Sequence, residues 1–134
     1  MKQLSDHECW ELLDSKPGWA ALTTIDPDGL PHTVAIGYFR LDQVLYCGVR
    51  AGTHKCRNLK ANPAASLMVE SGKAGETLRG VMVQGRGRVI EDPAELLELK
   101  RRLAEYRGEP APTEVKPGIA YLELQPQRMR SWTS

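Results

Sequence analysis

The sequence predicts a mainly β fold of the α+β class, a small barrel flanked by short helices. Six segments rich in β-branched, aromatic or small residues are each bounded by Gly, Pro, Asn or Asp, as strands between turns are. The first three follow one another as an antiparallel meander, and helical stretches are set between groups of strands, which does not suit parallel βαβ units. With 134 residues, the chain is expected to form one domain, 1–134, around one core, because a chain of this size buries roughly two thirds of its unfolded surface.

The elements are expected in this order. Ser5-Asp6-His7-Glu8 has the S-x-x-E form of a capping box and opens a short helix to about Leu13. Pro17-Gly18 ends it, and residues 19–25 make a strand that runs into the turn Asp26-Pro27-Asp28-Gly29, where Pro presets φ and Gly accepts a positive one. The return strand spans 31–40, and after Leu41-Asp42-Gln43 a third strand covers 44–49. A polar helix, 54–61, is expected on the surface, stopped by Asn62-Pro63. A fourth strand at 64–70 leads through the loop 71–75 into a long fifth one, 77–90. In that strand Val81, Val83, Gly85, Gly87 and Val89 share one face, and the glycines suit a bulge or a sharp bend. Asp92-Pro93 starts a helix whose Leu96, Leu99, Leu103 and Tyr106 recur at helical spacing. A Gly/Pro-rich loop, 108–117, precedes a last alternating strand, 118–124, and a short tail.

Hydrophobic residues make up 41% and charged ones 26%, with a net charge of +1, so nothing global favours nucleic acid or membrane. Any basic site must be local. Cys9, Cys47 and Cys56 form no CxxC pair, which argues against a disulfide framework or a structural zinc. The three histidines lack metal-ligand spacing, and no metal is expected. With no apolar leader segment and no membrane-length apolar run, the expected location is cytoplasmic.

The chemistry concentrates at 50–63. A strand end followed by Gly52-Thr53 at a helix start offers free N–H groups and the positive end of the helix dipole, which suit a phosphate. Lys55 and Arg57 add charge there, and Arg50 reaches it from the strand side. The same residues equally suit a solvated basic helix with Thr53 as an ordinary N-cap. The spacing is not that of a P-loop, since GxxxxGK[ST] is absent. Cys47, in mid-strand, reads as a small buried thiol without a partner base.

Four motifs in order then carry a resemblance: Trp-Ala-x-Leu-Thr-Thr-x-Asp-Pro-Asp-Gly-x-Pro-His at 19–32, Gly-Thr-x-Lys-x-Arg-Asn-Leu-x-x-Asn-Pro at 52–63, Leu-Arg-Gly-Val-x-Val-x-Gly at 78–85 and Arg-x-x-x-Trp at 128–132. Over nearly its whole length the chain resembles the pyridoxamine-phosphate-oxidase-like family, and most of all its short flavin- or deazaflavin-dependent oxidoreductases. The resemblance implies a six-stranded split β-barrel working as a homodimer. It implies a cofactor, FMN or F420, whose phosphate is met by Thr53 and Lys55, with His54, Arg57 and Asn58 supporting. The ring would lie along Val34, Ala35 and Ile36 on one strand and Gly48 and Val49 on another, with Arg50 close by. Arg79 and Gly80 match a place where pyridoxamine phosphate oxidases carry a Gln that reaches the flavin across the dimer, a contact Gly80 lacks the side chain to make. Those oxidases also use Arg-x-His near the C-terminus, where this chain has Arg128-Met129-Arg130 followed by Trp132. Trp132 fits either a lid on the ring or a packed core or interface residue.

The implied activity is hydride transfer between the cofactor and a small unsaturated or quinone-like organic substrate. Water, Tyr38 and His32 are the candidate proton donors. The alternative is a non-catalytic protein that binds or carries a flavin, F420 or haem.

Overall fold

The computed structural model describes residues 2–73 and 75–134; Met1 and Ala74, the latter inside the loop expected at 71–75, lie outside them. Ser5 starts α1 (Asp6–Ser15) with a complete capping box: its hydroxyl accepts from the Glu8 N–H at 3.1 Å, and the Glu8 carboxylate accepts from the Ser5 N–H at 3.0 Å. β1 (Ala20–Ile25) and β2 (Pro31–Ile36) form a hairpin across the expected turn, with Gly29 at φ 88°. A second hairpin pairs β3 (Phe39–Leu41) with β4 (Val44–Arg50). There follow α2 (His54–Ala61), β5 (Ala64–Ser71), β6 (Arg79–Ile90), α3 (Pro93–Arg107) and β7 (Ile119–Thr133).

All pairings are antiparallel, in the order β2-β1-β5-β6-β7-β4-β3. The expected strand 31–40 is two strands, because the chain breaks step at Gly37-Tyr38, so the described residues hold seven strands where six were expected. The expected meander forms as two separate hairpins: residues 31–36 pair with β1, and 39–41, the end of the same expected strand, pair with β4. β4 pairs with β7, not with β2, and the two lie toward opposite sides of the sheet.

β2 and β3 are thus the two edges, and only Gly37-Tyr38 separates them in sequence. Three Cα steps span at most about 11 Å. The sheet must therefore curl until its edges meet at that link, while no ladder joins β2 to β3: the barrel is split. Inside the curl, Leu13, Leu45, Leu67, Val69, Val81 and Val83 are all but inaccessible, each burial worth roughly 1.5–3 kcal/mol. α1 and α2 close opposite ends of this core. α1 lies at the Arg79 end of β6, where Arg79 meets Glu8 at 3.3 Å and the Leu4 N–H donates to Ser131 Oγ at 2.8 Å. α2 lies at the other end, where the Gly87 N–H donates to the Pro63 carbonyl at 2.6 Å. α3 covers the outer face: Leu96, Leu99 and Leu103 bury against Phe39, Leu41, Tyr46 and Ile90. Tyr106, expected on that stripe, is exposed, and Ala104 takes the inward place in the last turn.

β7 runs well past the expected end at Leu124 and pairs with β6 along its whole length. Pro126 lacks an N–H and reads as a strand end, yet a bulge absorbs it: Gly85 faces Pro126 and Gln84 faces Arg128, which leaves Gln127 unpaired. The face pattern expected for 81–89 holds across the bulge: Val81, Val83 and Val89 pack into the inner core, and Ile90, on the other face, meets α3. Gly85 is required there, since a Cβ would overlap the carbonyl oxygen of Gln125. Gly85→Ala is therefore expected to destabilise the protein by about 1–3 kcal/mol. Urea unfolding checks this, and an unchanged midpoint would mean that the bulge yields freely.

Candidate functional site

Where the sheet edges meet, a cleft of about 430 Å³ opens on the outer face between Trp19, Gly37, Gly48, Arg107 and Tyr121, with Tyr38 and Phe39 behind. Alternation along β4 decides its floor. Leu45, Cys47 and Val49 turn into the core, while Gly48 and Arg50 turn outward. Gly48 pairs with Tyr121, whose ring stands beside it, so that a Cβ at 48 would lie 3.2 Å from Tyr121 Cε1 while Gly48 itself stays exposed. On β2, Val34 and Ile36 likewise pack inward and Ala35 faces out. Of the strand residues expected against a ring, Ala35 and Gly48 present a flat outer surface, and Val34, Ile36 and Val49 offer only backbone. Trp19 is 77% exposed, and the Arg107 guanidinium lies 6.0 Å from the Phe39 ring centroid.

From Gly48 the chain leads directly to the start of α2. Thr53 holds the N-cap position (φ −69°, ψ 166°) but makes no side-chain cap; its hydroxyl donates to Cys56 Sγ at 3.2 Å instead. The first-turn N–H groups therefore lack the partner that Ser5 and Asp92 give the other two helices. Lys55 is half-buried and Arg50 exposed, and among the described residues neither has a carboxylate within 4.0 Å. Arg57 Nη1 donates to the Gly52 carbonyl at 2.7 Å and stiffens the loop.

His54 and Asn58, expected as phosphate supports, turn the other way. His54 Nε2 lies 2.7 Å from Asp26 Oδ1, and the buried Asn58 Nδ2 donates to Asp26 Oδ1 at 2.9 Å and to Thr24 Oγ1 at 3.1 Å. An ionised Asp26 can only accept, so His54 Nε2 carries the proton and donates. Hydrogen bonding from Asn58, then from His54, holds the Asp26 carboxyl below the usual carboxylate range. His32 lies against His54 with centroids 4.0 Å apart and ring planes tilted by 33°, and among the described residues its Nδ1 is buried without a partner. Sequence reasoning missed Asp26 in this role. Its place in a turn motif was visible, but its contact with a helix 28 residues later was not.

Arg79, Gly80 and Trp132 form a separate group. The Trp132 indole fills the space a side chain at 80 would need, and its Nε1 donates to Glu70 at 2.8 Å. Seven residue steps along β6 separate Gly80 from Gly87 beside α2, roughly 23 Å of strand. Within one chain this group does not join the cleft and helix start. Two proton-donor candidates are also engaged or enclosed: Tyr38 Oη donates to the Leu13 carbonyl, and His32 Nδ1 is the buried atom already described. Burial pushes Tyr38 up to about 12, and pushes the Cys47 thiol up to about 12 against a smaller opposing pull from Lys55. Cys47 is accordingly an inert core thiol. No helix among the described residues is long and apolar enough to cross a membrane.

A model of the pyridoxamine 5'-phosphate oxidase family matches residues 6–133. No curated protein matches the sequence. Among solved structures, a conserved hypothetical protein from Mycobacterium tuberculosis is 29% identical, with TM-score 0.77, covering 98% of this chain and 89% of its own. An F420 reductase is 26% identical, with TM-score 0.64, covering 89% of this chain and 93% of its own. A FAD-binding protein from Mesorhizobium loti, at 22% identity and TM-score 0.76 over 99% of this chain and 97% of its own, shares the fold.

The Tyr38 hydroxyl gives a signed pH test. Its raised value means that its stabilisation is complete below the unfolded tyrosine pKa near 10 and is lost as pH rises through about 12. In urea unfolding the unaltered protein should lose about 2–3 kcal/mol over that interval from this group, a loss that Tyr38→Phe lacks. Parallel alkaline curves for the two proteins would contradict the assignment.

Proposed function

The chain belongs to the pyridoxamine 5'-phosphate oxidase family, and from that premise we propose that it is an oxidoreductase binding a phosphate-bearing flavin or deazaflavin, FMN or F420. One observation carries the reading. β4 leads directly from a glycine-floored aromatic cleft at Gly48 to an uncapped helix start at Thr53, so one strand end serves a planar ring and the phosphate attached to it. The naming of a 26%-identical relative as an F420 reductase supports the deazaflavin branch without deciding it.

The residues present fit such a group. Gly48 and Ala35 leave the outer surface flat enough for a ring, and the free first-turn N–H groups with Lys55 suit a phosphate. When bound, the cofactor supplies the hydride chemistry. The chain would hold the phosphate at the α2 start with Thr53 and Lys55, seat the ring beside Gly48, and limit water with Trp19 and Tyr121. Arg50 adds positive charge between the two. The substrate class is small unsaturated or quinone-like molecules. A second copy of the chain would bring Arg79, Gly80 and Trp132 to the cleft, which is why we propose a homodimer.

A non-catalytic carrier of the same cofactor is the second reading. It is favoured by the engagement of Tyr38 with the Leu13 carbonyl and the enclosure of His32 Nδ1, which leave little acid–base chemistry beside the cleft. Oxidation of the reduced cofactor by quinone or enone acceptors above the free-cofactor rate establishes the enzyme; binding without such turnover establishes the carrier. For the site itself, Lys55→Ala should cost about 1.5–3 kcal/mol of affinity for FMN or F420 in a fluorescence titration, the worth of one charge-assisted contact. Unchanged affinity would remove the phosphate from the start of α2.

A further inference from the structure

α2 has eight residues, too few to be stable without tertiary anchors. Cys56 buries one side of the first turn and accepts from the Thr53 hydroxyl at 3.2 Å, and Leu59 packs the next turn into the core. Thr53 does not cap that turn. On the hairpin side the tie is the carboxylate of Asp26, at the far end of β1, which accepts from His54 at the first helical residue and from Asn58 one turn on. Asn58 also holds Thr24 of β1, and His32 of β2 lies against the His54 ring, so both strands of the hairpin hold the N-terminal half of α2.

A carboxylate beside an anion site is electrostatically adverse, so its presence needs a reason. We infer that Asp26 is a positioning residue of the phosphate site: through His54 and Asn58 it holds the first turn of α2 in place, with its N–H groups and Lys55 free to face the ligand. This inference rests on the reading of the α2 start as the phosphate site. It assigns to His54 and Asn58 an internal task in place of ligand contact, and it makes the β1–β2 turn part of the site. The preformed turn spares a ligand the entropy of ordering it.

The test compares Asp26→Ala, Asp26→Asn and Lys55→Ala with the unaltered protein, thermal unfolding confirming that each is folded. Should Asp26→Ala not fold, His54→Ala, which removes one of the two anchors, takes its place. The first readout uses no ligand. The Arg57 amide closes the first turn on the Thr53 carbonyl at 3.0 Å, and its hydrogen exchange should quicken about tenfold in Asp26→Ala, as loss of a charged anchor implies. In Asp26→Asn, which keeps an acceptor oxygen, it should stay near the unaltered rate. Unchanged exchange in Asp26→Ala overturns the inference.

The second readout compares FMN with riboflavin, and F420 with its phosphate-free chromophore, by fluorescence titration. Asp26→Ala should weaken the phosphate-bearing member of the pair that binds about tenfold and leave the phosphate-free member unchanged. Asp26→Asn removes a negative charge without removing the anchor, so it should bind the phosphate-bearing member at least as tightly as the unaltered protein. Equal losses for both members of a pair overturn the inference, and so does an Asn variant as weak as the Ala variant. If Lys55→Ala leaves phosphate-bearing affinity unchanged, or if neither cofactor binds the unaltered protein, the phosphate site itself fails and the positioning role falls with it. Weakening by Lys55→Ala but not by Asp26→Ala refutes the positioning role alone.

Discussion

Two residues, Gly37 and Tyr38, join the opposite edges of a seven-stranded sheet, and most of the architecture follows from that short link. A flat sheet of this order would hold β2 and β3 many strand widths apart, at about 4.8 Å for each neighbour. The link permits about 11 Å at most. Curling is therefore obligatory, and it creates an inside for Leu45, Leu67, Val81 and Val83 and an outside for α3. Tyr38 turns into the closed end, where its hydroxyl reaches the last turns of α1 at the Leu13 carbonyl. The seam is thereby tied to the helix that plugs one mouth of the barrel.

The cleft follows from the same seam. The chain must step out of the sheet at Gly37, and β4 presents Gly48 on the same outer surface, so two residues without side chains lie between Trp19 and Tyr121. Tertiary packing elsewhere fills such surfaces: α3 covers Tyr46, one outward position before Gly48 on β4. It stops short of the cleft with Leu103 and Arg107 at the rim. Local rules are kept in the completed caps at Ser5 and Asp92 and relaxed at Thr53, where the proposed phosphate site calls for free N–H groups.

Charge is handled in the same local way. The chain is nearly neutral overall, and several of its cations are spent within the fold: Arg40 on Asp14, Arg88 on Glu95 and Glu123, Lys60 on Glu91. Arg50 and Lys55 are not, and they flank one helix start. Net charge hid this concentration. At the other end of β6, Trp132 takes the volume above Gly80, so the absence of a side chain at 80 and the presence of an indole at 132 are one packing solution.

Much was legible in the sequence because it is written in neighbouring residues. The capping box at Ser5, the Asp26–Gly29 turn, the bounds of α2 at His54 and Ala61 and the proline start of α3 all depend on contacts within about five residues, and all stand as read. The motifs also pointed to the family, and through it to a split barrel. What the sequence left open depends on pairings far apart in the chain. Gly48 acquires its partner from Tyr121, and Pro126 is tolerated inside a strand only because β6 supplies Gly85 opposite it. The break in the meander was missed for the same reason: both of its hairpins form, but closure of the sheet parts them at Gly37-Tyr38 and puts them on opposite edges. His54 and Asn58 carry the right chemistry for a phosphate, yet which way they face was decided by Asp26 across the hairpin. Residue type and local spacing set what each side chain can do; the closure of the sheet set what each one meets.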